Sequence, residues 1–561
     1  MALTTRTNGE AFVPKSLIAL KSYNTQKFAQ DLIAGITVGL VALPLAMAFA
    51  ISSGVTPQAG IYTAIFAGFL ISALGGSTTQ IGGPTGAFVV VVAGIVQKHG
   101  IDGLFLCTIM AGILLMLLGL TGLGTAVKYI PRPVVIGFTN GIAILIASTE
   151  IKDFFGLHAD KVPGDFLGRM SVLIRHAGSF EPQTTALAAG ALILYLVVAR
   201  CFKRVPGAIV AMIVGTAIAW LCKLPVETIE TRFAGIPETL PRLQLPTFRP
   251  DLILPLLAPA LTVTMLGAIE PLLSAVVSDR MSGDQHNPNV ELFAQGVANV
   301  CSPLFGGIPA TGAIARTATN IRSGAKTPVA GMIHALTLLL ILLIAAPLAK
   351  HIPLCVLAAI LFVVAYNMGE WSEVPEILKL SRADISVWLI TFALTVFADL
   401  TVAVEAGMIL AALLYIRQVT LTTTVARVTP DYVQAGFAHS LQTNDLPEGV
   451  AVYRIHGPFL FGATDKLSVI EDELDTLPSV VLLRLRNMTA IDATGLHALE
   501  HLADRLHASG RTLVVCGVRD QPSRLLSQAE FHEHLGEANI VPSLANAAAR
   551  ARELLGAERV S

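Results

Sequence analysis

Apolar runs follow one another along most of this chain. After a polar stretch that ends near residue 30, they occupy about 31–52, 57–75, 86–98, 103–123, 131–149, 184–200 and 206–223. A polar connection with several prolines covers 224–250. A second series runs at about 251–277, 290–305, 310–322, 328–348, 353–368, 383–399 and 401–417. About 20 apolar residues in a helix cross a hydrocarbon core of about 30 Å. The pattern predicts a polytopic α-helical membrane protein with 14 transmembrane segments, arranged seven plus seven. The third and tenth are too short to cross as plain helices.

Those two short segments share a signature. The tenth carries Gly306-Gly307-Ile308-Pro309-Ala310-Thr311-Gly312-Ala313-Ile314-Ala315-Arg316-Thr317, and the third carries Gly82-Gly83-Pro84-Thr85-Gly86-Ala87-Phe88. Proline has a fixed φ and no N–H, so it suits a helix's first turn and breaks its interior. In each segment a loop or strand should therefore give way to a short helix, which in the second copy starts around Pro309 or Ala310. The free N–H groups at such starts attract anions. The surrounding spans repeat as well. Leu43-Pro44-Leu45 parallels Glu270-Pro271-Leu272; Pro44 to Pro84 is 40 residues and Pro271 to Pro309 is 38. An odd number of crossings per half sets the two copies in opposite orientations. Broken helices in an inverted repeat mark the binding site of a secondary transporter.

Composition and charge agree with this division. Of 561 residues, 53% are hydrophobic and 14% charged, where a soluble domain carries about a quarter charged. Beyond Arg417 the composition becomes ordinary. The resulting layout is a tail over 1–30, a first repeat over 31–223, a connector over 224–250, a second repeat over 251–420, a linker over 421–446 and a C-terminal domain over 447–561. Basic residues follow every even-numbered span after the second: Lys128 and Arg132, Lys203 and Arg204, Arg280, Arg322 and Lys326, Lys379 and Arg382, and Arg417. By the positive-inside rule these ends, the tail (Arg6, Lys15, Lys21, Lys27) and the C-terminal domain are cytoplasmic, and the host membrane is a cytoplasmic (inner) membrane. Parity puts 150–183 outside. The N-terminus lacks the pattern of a signal peptide, so the first span itself would direct insertion.

The C-terminal domain reads as α/β. Val450–Ile455, Val480–Leu485 and Thr512–Val515 look like strands, and Asp465–Leu474, Ala493–His507 and Leu544–Leu555 like helices. There is no P-loop or G-x-G-x-x-G. A net charge of −1 gives no reason for a nucleic-acid partner. The six cysteines (Cys107, Cys201, Cys222, Cys301, Cys355, Cys516) form no C-x-x-C pair, so neither a zinc site nor a disulfide framework is indicated. No catalytic constellation or metal cluster appears, which argues against an enzyme and leaves binding and release.

Among candidate residues, Thr85, Gly86, Ala87, Thr311, Gly312 and Ala313 would hold an anion through backbone N–H groups and hydroxyls. The alternative is ordinary helix packing around kinks. Glu270 lies some twenty residues into the eighth span, where a charged side chain costs about 2.5–3.5 kcal/mol and is a functional hypothesis by default. It could carry a proton across, or serve as a structural partner of Arg316 or of backbone N–H groups. Arg316 could supply positive field near the anion, or reach toward the interface. Asn140 is placed for hydrogen bonds between helices, and Asp31 with Lys27 would anchor the first span. Asp399 and Glu405 read as interfacial, and His334 as packed.

Asp31-Leu32-Ile33-Ala34-Gly35-Ile36-Thr37-Val38-Gly39-Leu40, Leu43-Pro44, Gly83-Pro84-Thr85 and Pro309 through Ala318 together resemble the sulfate permease (SulP) family. That family is equivalent to the solute carrier 26 anion transporters, which include prestin. The C-terminal part resembles a STAS domain. The resemblance covers nearly the whole chain. It implies core and gate subdomains, an anion site between segments three and ten, elevator-like alternating access and a homodimer, with the lipid bilayer as surroundings. The first span is similar to bacterial C4-dicarboxylate-transporting members. Members that move bicarbonate with sodium have Asp where Glu270 stands and Thr where Ile314 stands; Ser274 keeps one hydroxyl. That departure favours protons over sodium. Asn487 through Leu496 is similar to the antagonist loop in which a Ser or Thr is phosphorylated. Thr494 fills that place, as a possible regulatory phosphosite and contact for a cytoplasmic partner, with a helix cap at Asp492 as the alternative. The expected function is proton-coupled uptake of C4-dicarboxylates (succinate, fumarate) or sulfate, without a cofactor. The alternatives are a sodium-coupled bicarbonate transporter, an anion exchanger, an anion channel or motor, and a membrane receptor.

Overall fold

The computed structural model describes residues 12–125, 131–159, 162–202, 206–233, 235, 243, 249–398, 400–428 and 447–558. Arg6, Lys128, Lys203, Arg204, Asp399, parts of the 224–250 connector and 429–446 of the linker lie outside the described residues. The chain forms two compact units, 1–409 and 410–561.

Each apolar stretch named above contains a helix. The first half contains α1 (Lys15–Leu20), α2 (Thr25–Ser52), α3 (Pro57–Leu74), the two-residue strand β1 (Gly82–Gly83), α4 (Val89–Leu120), α5 (Arg132–Phe155), α6 (Phe166–Arg175), α7 (Pro182–Cys201), α8 (Gly207–Leu221) and α9 (Ile229–Phe233). The second contains α10 (Ile253–Ser282), α11 (Pro288–Leu304), β2 (Thr311–Gly312), α12 (Ile314–Arg322), α13 (Val329–Ala349), α14 (Leu354–Met368), α15 (Val374–Ile377), α16 (Arg382–Phe397) and α17 (Leu400–Thr422), which runs on into the second unit. Proline in the first turn starts α3, α5, α7 and α11. The third and fourth segments are joined through α4, where Gly100 at φ +72 breaks the helix. Among the described residues, six helices are long and apolar enough to cross a membrane by themselves.

Two packing groups form. In one, α2 and α3 pack on α13, α3 and α4 on α11, and α10 on α4 and α12. In the other, α5 packs on α14 and α16, and α7 on α8 and α14. Small buried residues (Ala42, Ala46 and Ala48 on α2, Ala358 and Ala359 on α14) let helices of the two groups approach closely. Large apolar side chains such as Leu254, Ile344 and Leu221 point outward, as a lipid-facing surface requires.

In the second unit the strands lie in the order β3 (Thr424–Arg427), β4 (Val450–Phe459), β5 (Val480–Ile491), β6 (Thr512–Cys516) and β7 (Ile540–Val541). β3 is antiparallel to β4, and the rest are parallel. Helix Ala493–Ala508 covers one face and Leu544–Glu558 the other, so the strands are buried on both sides. Two expectations change here. Residues 424–427, assigned to the linker, form the edge strand, because four residues are too few to show an alternating pattern. The helix expected over Asp465–Leu474 is a 3₁₀ stretch, Phe461–Leu467, followed by one short turn, Ser468–Glu471.

Candidate functional site

β1 and β2 bring the two Gly-Pro segments together. They pair antiparallel, Gly82 opposite Gly312 and Gly83 opposite Thr311. The Ala313 N–H extends the pairing to the Ile81 carbonyl at 2.8 Å. A 3₁₀ turn, Gly86–Phe88, leads from the first strand into α4, and α12 leaves the second. The expected start of the second short helix moves. It begins at Ile314, with Ala313 as its cap, so Thr311 and Gly312 lie in the strand instead of the first turn. Pro309 breaks helix as expected, but the chain stays extended until the strand pairing ends.

The charged groups of the second half reach into the first. Glu270 is on α10 next to Pro271, and its Oε2 accepts from the Thr85 hydroxyl at 2.9 Å. Arg316 is buried at 3% exposure, and its Nη2 donates to the Pro84 carbonyl. Arg316 Nη1 has no hydrogen-bond partner among the described residues, and neither does the buried Thr311 hydroxyl. Glycine at 83 makes room for this arrangement. Its φ is +150, and a Cβ there would stand 2.6 Å from Arg316 Nη1. At Gly312 a Cβ would overlap the Gln80 side-chain amide. Around Gly86 the neighbours are Phe49, Ile146 and Met368, an apolar wall drawn from both packing groups. Ala87 and Ala313 are both buried. Thr85, Gly86, Ala87, Glu270, Ala313 and Arg316 thus converge on one place, with Thr311 and Gly312 in the strand beneath.

Other residues hold the crossing in position. Thr317 accepts from the Ile81 N–H and from the Ser274 hydroxyl, both at 3.1 Å, and Asn320 donates to the Thr79 carbonyl at 2.9 Å. A polar row on α11, missed in the sequence reading, does the same from behind. Glu291 accepts from the Gly76 and Ser77 N–H groups at 2.9 and 3.1 Å and from Gln295 at 2.8 Å. Asn299 both donates to and accepts from the Ala310 backbone at 2.8 and 2.9 Å. Ser302 donates to the Ile308 carbonyl at 2.7 Å. The signal was available. Positions 291, 295, 299 and 302 share one helix face inside an apolar segment, and buried polar side chains inside a membrane bundle need partners.

Asp31 does more than anchor its helix. Fully buried, it accepts from the Lys326 and Thr327 N–H groups at 2.7 and 3.1 Å and from the Thr327 hydroxyl at 2.6 Å, tying α2 to the turn before α13. Asn140 bridges three helices, donating to the Gly369 carbonyl after α14 and accepting from Trp388 of α16 at 2.9 Å. In the second unit, Thr494 is exposed in the first turn of helix Ala493–Ala508. Asp492 caps that turn, accepting from the Gly495 N–H at 2.8 Å. Thr494 lines a shallow cavity of 260 Å³ with Thr464, Glu471, His497 and His501. Outside the membrane segments, His534 is held above the ordinary histidine range by its hydrogen bond to Asp504.

Residues 28–391 match the sulfate permease family, and residues 443–547 match the STAS domain. The chain is 41% identical over 520 residues to the putative sulfate transporter YvdB of Bacillus subtilis, covering 92% of this chain and 96% of that protein. It is 30% identical over 519 residues to the bicarbonate transporter BicA of Picosynechococcus sp., covering 90% and 91%. Among solved structures, the transmembrane domain of a cyanobacterial BicA aligns at TM-score 0.61 and 34% identity, over 70% of this chain and 98% of that one. The overall structure of SLC26A9 aligns at TM-score 0.85 over 98% and 94%; at 18% identity it speaks for the fold alone. These relatives are transporters, not enzymes. With the paired broken helices and the five-stranded domain that follows them, they establish that the chain belongs to the sulfate permease family of multi-pass anion transporters and carries a STAS domain.

Proposed function

We propose that this protein takes up a small dianion with protons, by movement of the group containing α2–α4 and α10–α13 against the group containing α5, α7, α8, α14 and α16. The observation that carries the reading is the crossing itself. Two helix starts meet there, and Arg316 adds a buried positive charge with one donor nitrogen uncommitted. Helix starts and a guanidinium favour anions. Glu270 shares this place and is the titratable group beside the anion. Protonation removes its repulsion of the anion, so the two would load together. Sodium coupling has less support. Ser274, whose hydroxyl donates to Thr317, offers a single oxygen, and Ile314 offers none. A hard cation requires several such ligands.

Among dianions, C4-dicarboxylates lead. The apolar side chains of Phe49, Ile146 and Met368 around Gly86 suit a carbon chain between two carboxylates. Sulfate is the second reading, favoured by the name of the Bacillus relative. Bicarbonate exchange or channel-like flux are the remaining outcomes. A cytoplasmic membrane location with both termini inside, a homodimer and a regulatory role for Thr494 belong to the same proposal.

The test is uptake into proteoliposomes of labelled succinate, sulfate and bicarbonate, each with and without an inward proton gradient. Accumulation of succinate or sulfate that collapses with a protonophore is expected. Failure of both, or flux that neither saturates nor accumulates, would overturn the proposal.

A further inference from the structure

The segment ahead of α2, expected as part of a polar tail, is folded against one packing group. Lys15 of α1 forms an ion pair at 3.2 Å with Asp284, which lies between α10 and α11. The Lys15 N–H donates to the Gly75 carbonyl at 3.0 Å, just past α3. The Ser16 hydroxyl donates to the Ala73 carbonyl near the end of α3 at 2.5 Å. Phe12 stands edge-on to Phe293 of α11, with ring centroids 5.2 Å apart. These contacts tie α1 to the group containing α2–α4 and α10–α13. The turn that follows is folded back on α2: Lys27 donates to the Ser22 carbonyl at 2.9 Å, and the Tyr23 hydroxyl to Asp31 at 3.2 Å.

Held this way, α1 turns its apolar side chains outward. Leu17, Ile18 and Leu20 are 55%, 50% and 53% exposed. Three large apolar residues within four positions need a cover, and the neighbouring helix indicates which. Phe28 and Ile33, on the first turns of α2, continue the exposed apolar surface into the lipid-facing side of a membrane span. With 28 residues, α2 is about 42 Å long, and a bilayer with its headgroups is about 40–45 Å thick. Thr25, its first residue, therefore stands at headgroup level, and the folded turn keeps α1 at the same level. The charges fit that depth. Lys21 and Lys27 flank the turn, while Asp284 is taken by Lys15, and Asp31 by Tyr23, Lys326 and Thr327. Long basic side chains reach phosphates from the edge of the acyl region.

We propose that α1 is a membrane-surface anchor. It lays Leu17, Ile18 and Leu20 among the acyl chains of the leaflet at which α2 begins, with Lys21 and Lys27 at the phosphates of anionic phospholipids. The anchor holds one packing group to the bilayer surface through Asp284, the end of α3 and Phe293. Its contact with lipid is independent of the anion, of the coupling ion and of any movement between the groups.

Tryptophan fluorescence of the full-length protein in lipid vesicles tests the contact without a transport assay. The signal of Leu17→Trp is read after subtracting that of the three native tryptophans. It should fall about twofold in phosphatidylcholine brominated near the headgroup end of the chain, fall less with bromine near the chain terminus, and resist acrylamide added to the water. Replacing the brominated phosphatidylcholine by brominated phosphatidylglycerol should deepen the quenching about twofold, and the double variant Lys21→Gln, Lys27→Gln should remove that excess. Quenching by acrylamide without quenching by brominated lipid would overturn the proposal. So would protection from both, the signature of a protein surface over α1, such as a second copy of this chain. Equal quenching by the two headgroup classes would overturn the role of the lysines. Leu20→Trp applies the same criteria from a second exposed position should Leu17→Trp fail to fold.

Discussion

The two halves of the crossing have the same scaffold and different chemistry. Each has a long helix broken by proline, then a second helix, a two-residue strand and a helix start. Yet where the second half has Glu270 before its proline, the first has Leu43, and four residues past its strand, where the second half has Arg316, the first has Ala87. The first half provides what the charges need: the Thr85 hydroxyl for Glu270, the Pro84 carbonyl for Arg316 and the missing side chain of Gly83. Opposite Gly83 stands Thr311, whose hydroxyl is buried and unpartnered among the described residues. The first half therefore receives charge and the second supplies it. The matched halves fix the place of the crossing, while its polarity comes from the side chains of one half.

The largest effect that would break this comparison is expected from Arg316→Ala. Hydrogen bonds to charged groups contribute about 1.5–3 kcal/mol, so uptake should fall by about tenfold to a hundredfold. Arg316→Lys should restore the charge without the planar fork and recover only part of the activity; equal rates for both variants would place the anion elsewhere. Next is Gly83→Ala, which forces a side chain into a backbone conformation costing about 1–3 kcal/mol and into the Arg316 guanidinium. It should lower the unfolding temperature and weaken substrate binding together, as read by thermal shift with and without ligand. Gly86→Ala meets Ile146, Met368 and Phe49, so it should slow transport while leaving the unfolding temperature nearly unchanged. The finest distinction lies between the two threonines. Thr85→Ala removes a donor from Glu270, worth about 0.5–1.5 kcal/mol, and should shift the pH profile of uptake. Thr311→Ala breaks no hydrogen bond seen here and should change substrate affinity by a few-fold without moving that profile. A common shift in both would erase the asymmetry.

Most of this architecture was legible in the chain because two periodic signals carry it. Apolar runs of helix length placed the helices, and the matched Gly-Pro turns placed the crossing. Gly82–Gly83 read as loop or strand and Thr311–Gly312 as the first turn of a helix, since two residues cannot announce a strand whose partner is some 230 residues away. That pairing is what delays α12 to Ile314. Glu291, Gln295 and Asn299 were passed over within an apolar segment, although their spacing marks one face. Glu150 was placed just beyond the end of the fifth span, while α5 continues to Phe155 and buries it. Residue type identified Glu270 and Arg316 as unusual. Only the fold shows that both reach across to the other repeat.

The central claim is that Glu270 couples the anion to the proton, and Glu270→Gln in proteoliposomes tests it most directly. The amide keeps an acceptor for the Thr85 hydroxyl but cannot titrate. Exchange of labelled substrate across membranes of equal pH should continue, whereas accumulation driven by an inward proton gradient should vanish. Gradient-driven accumulation by Glu270→Gln at the wild-type level would contradict the account.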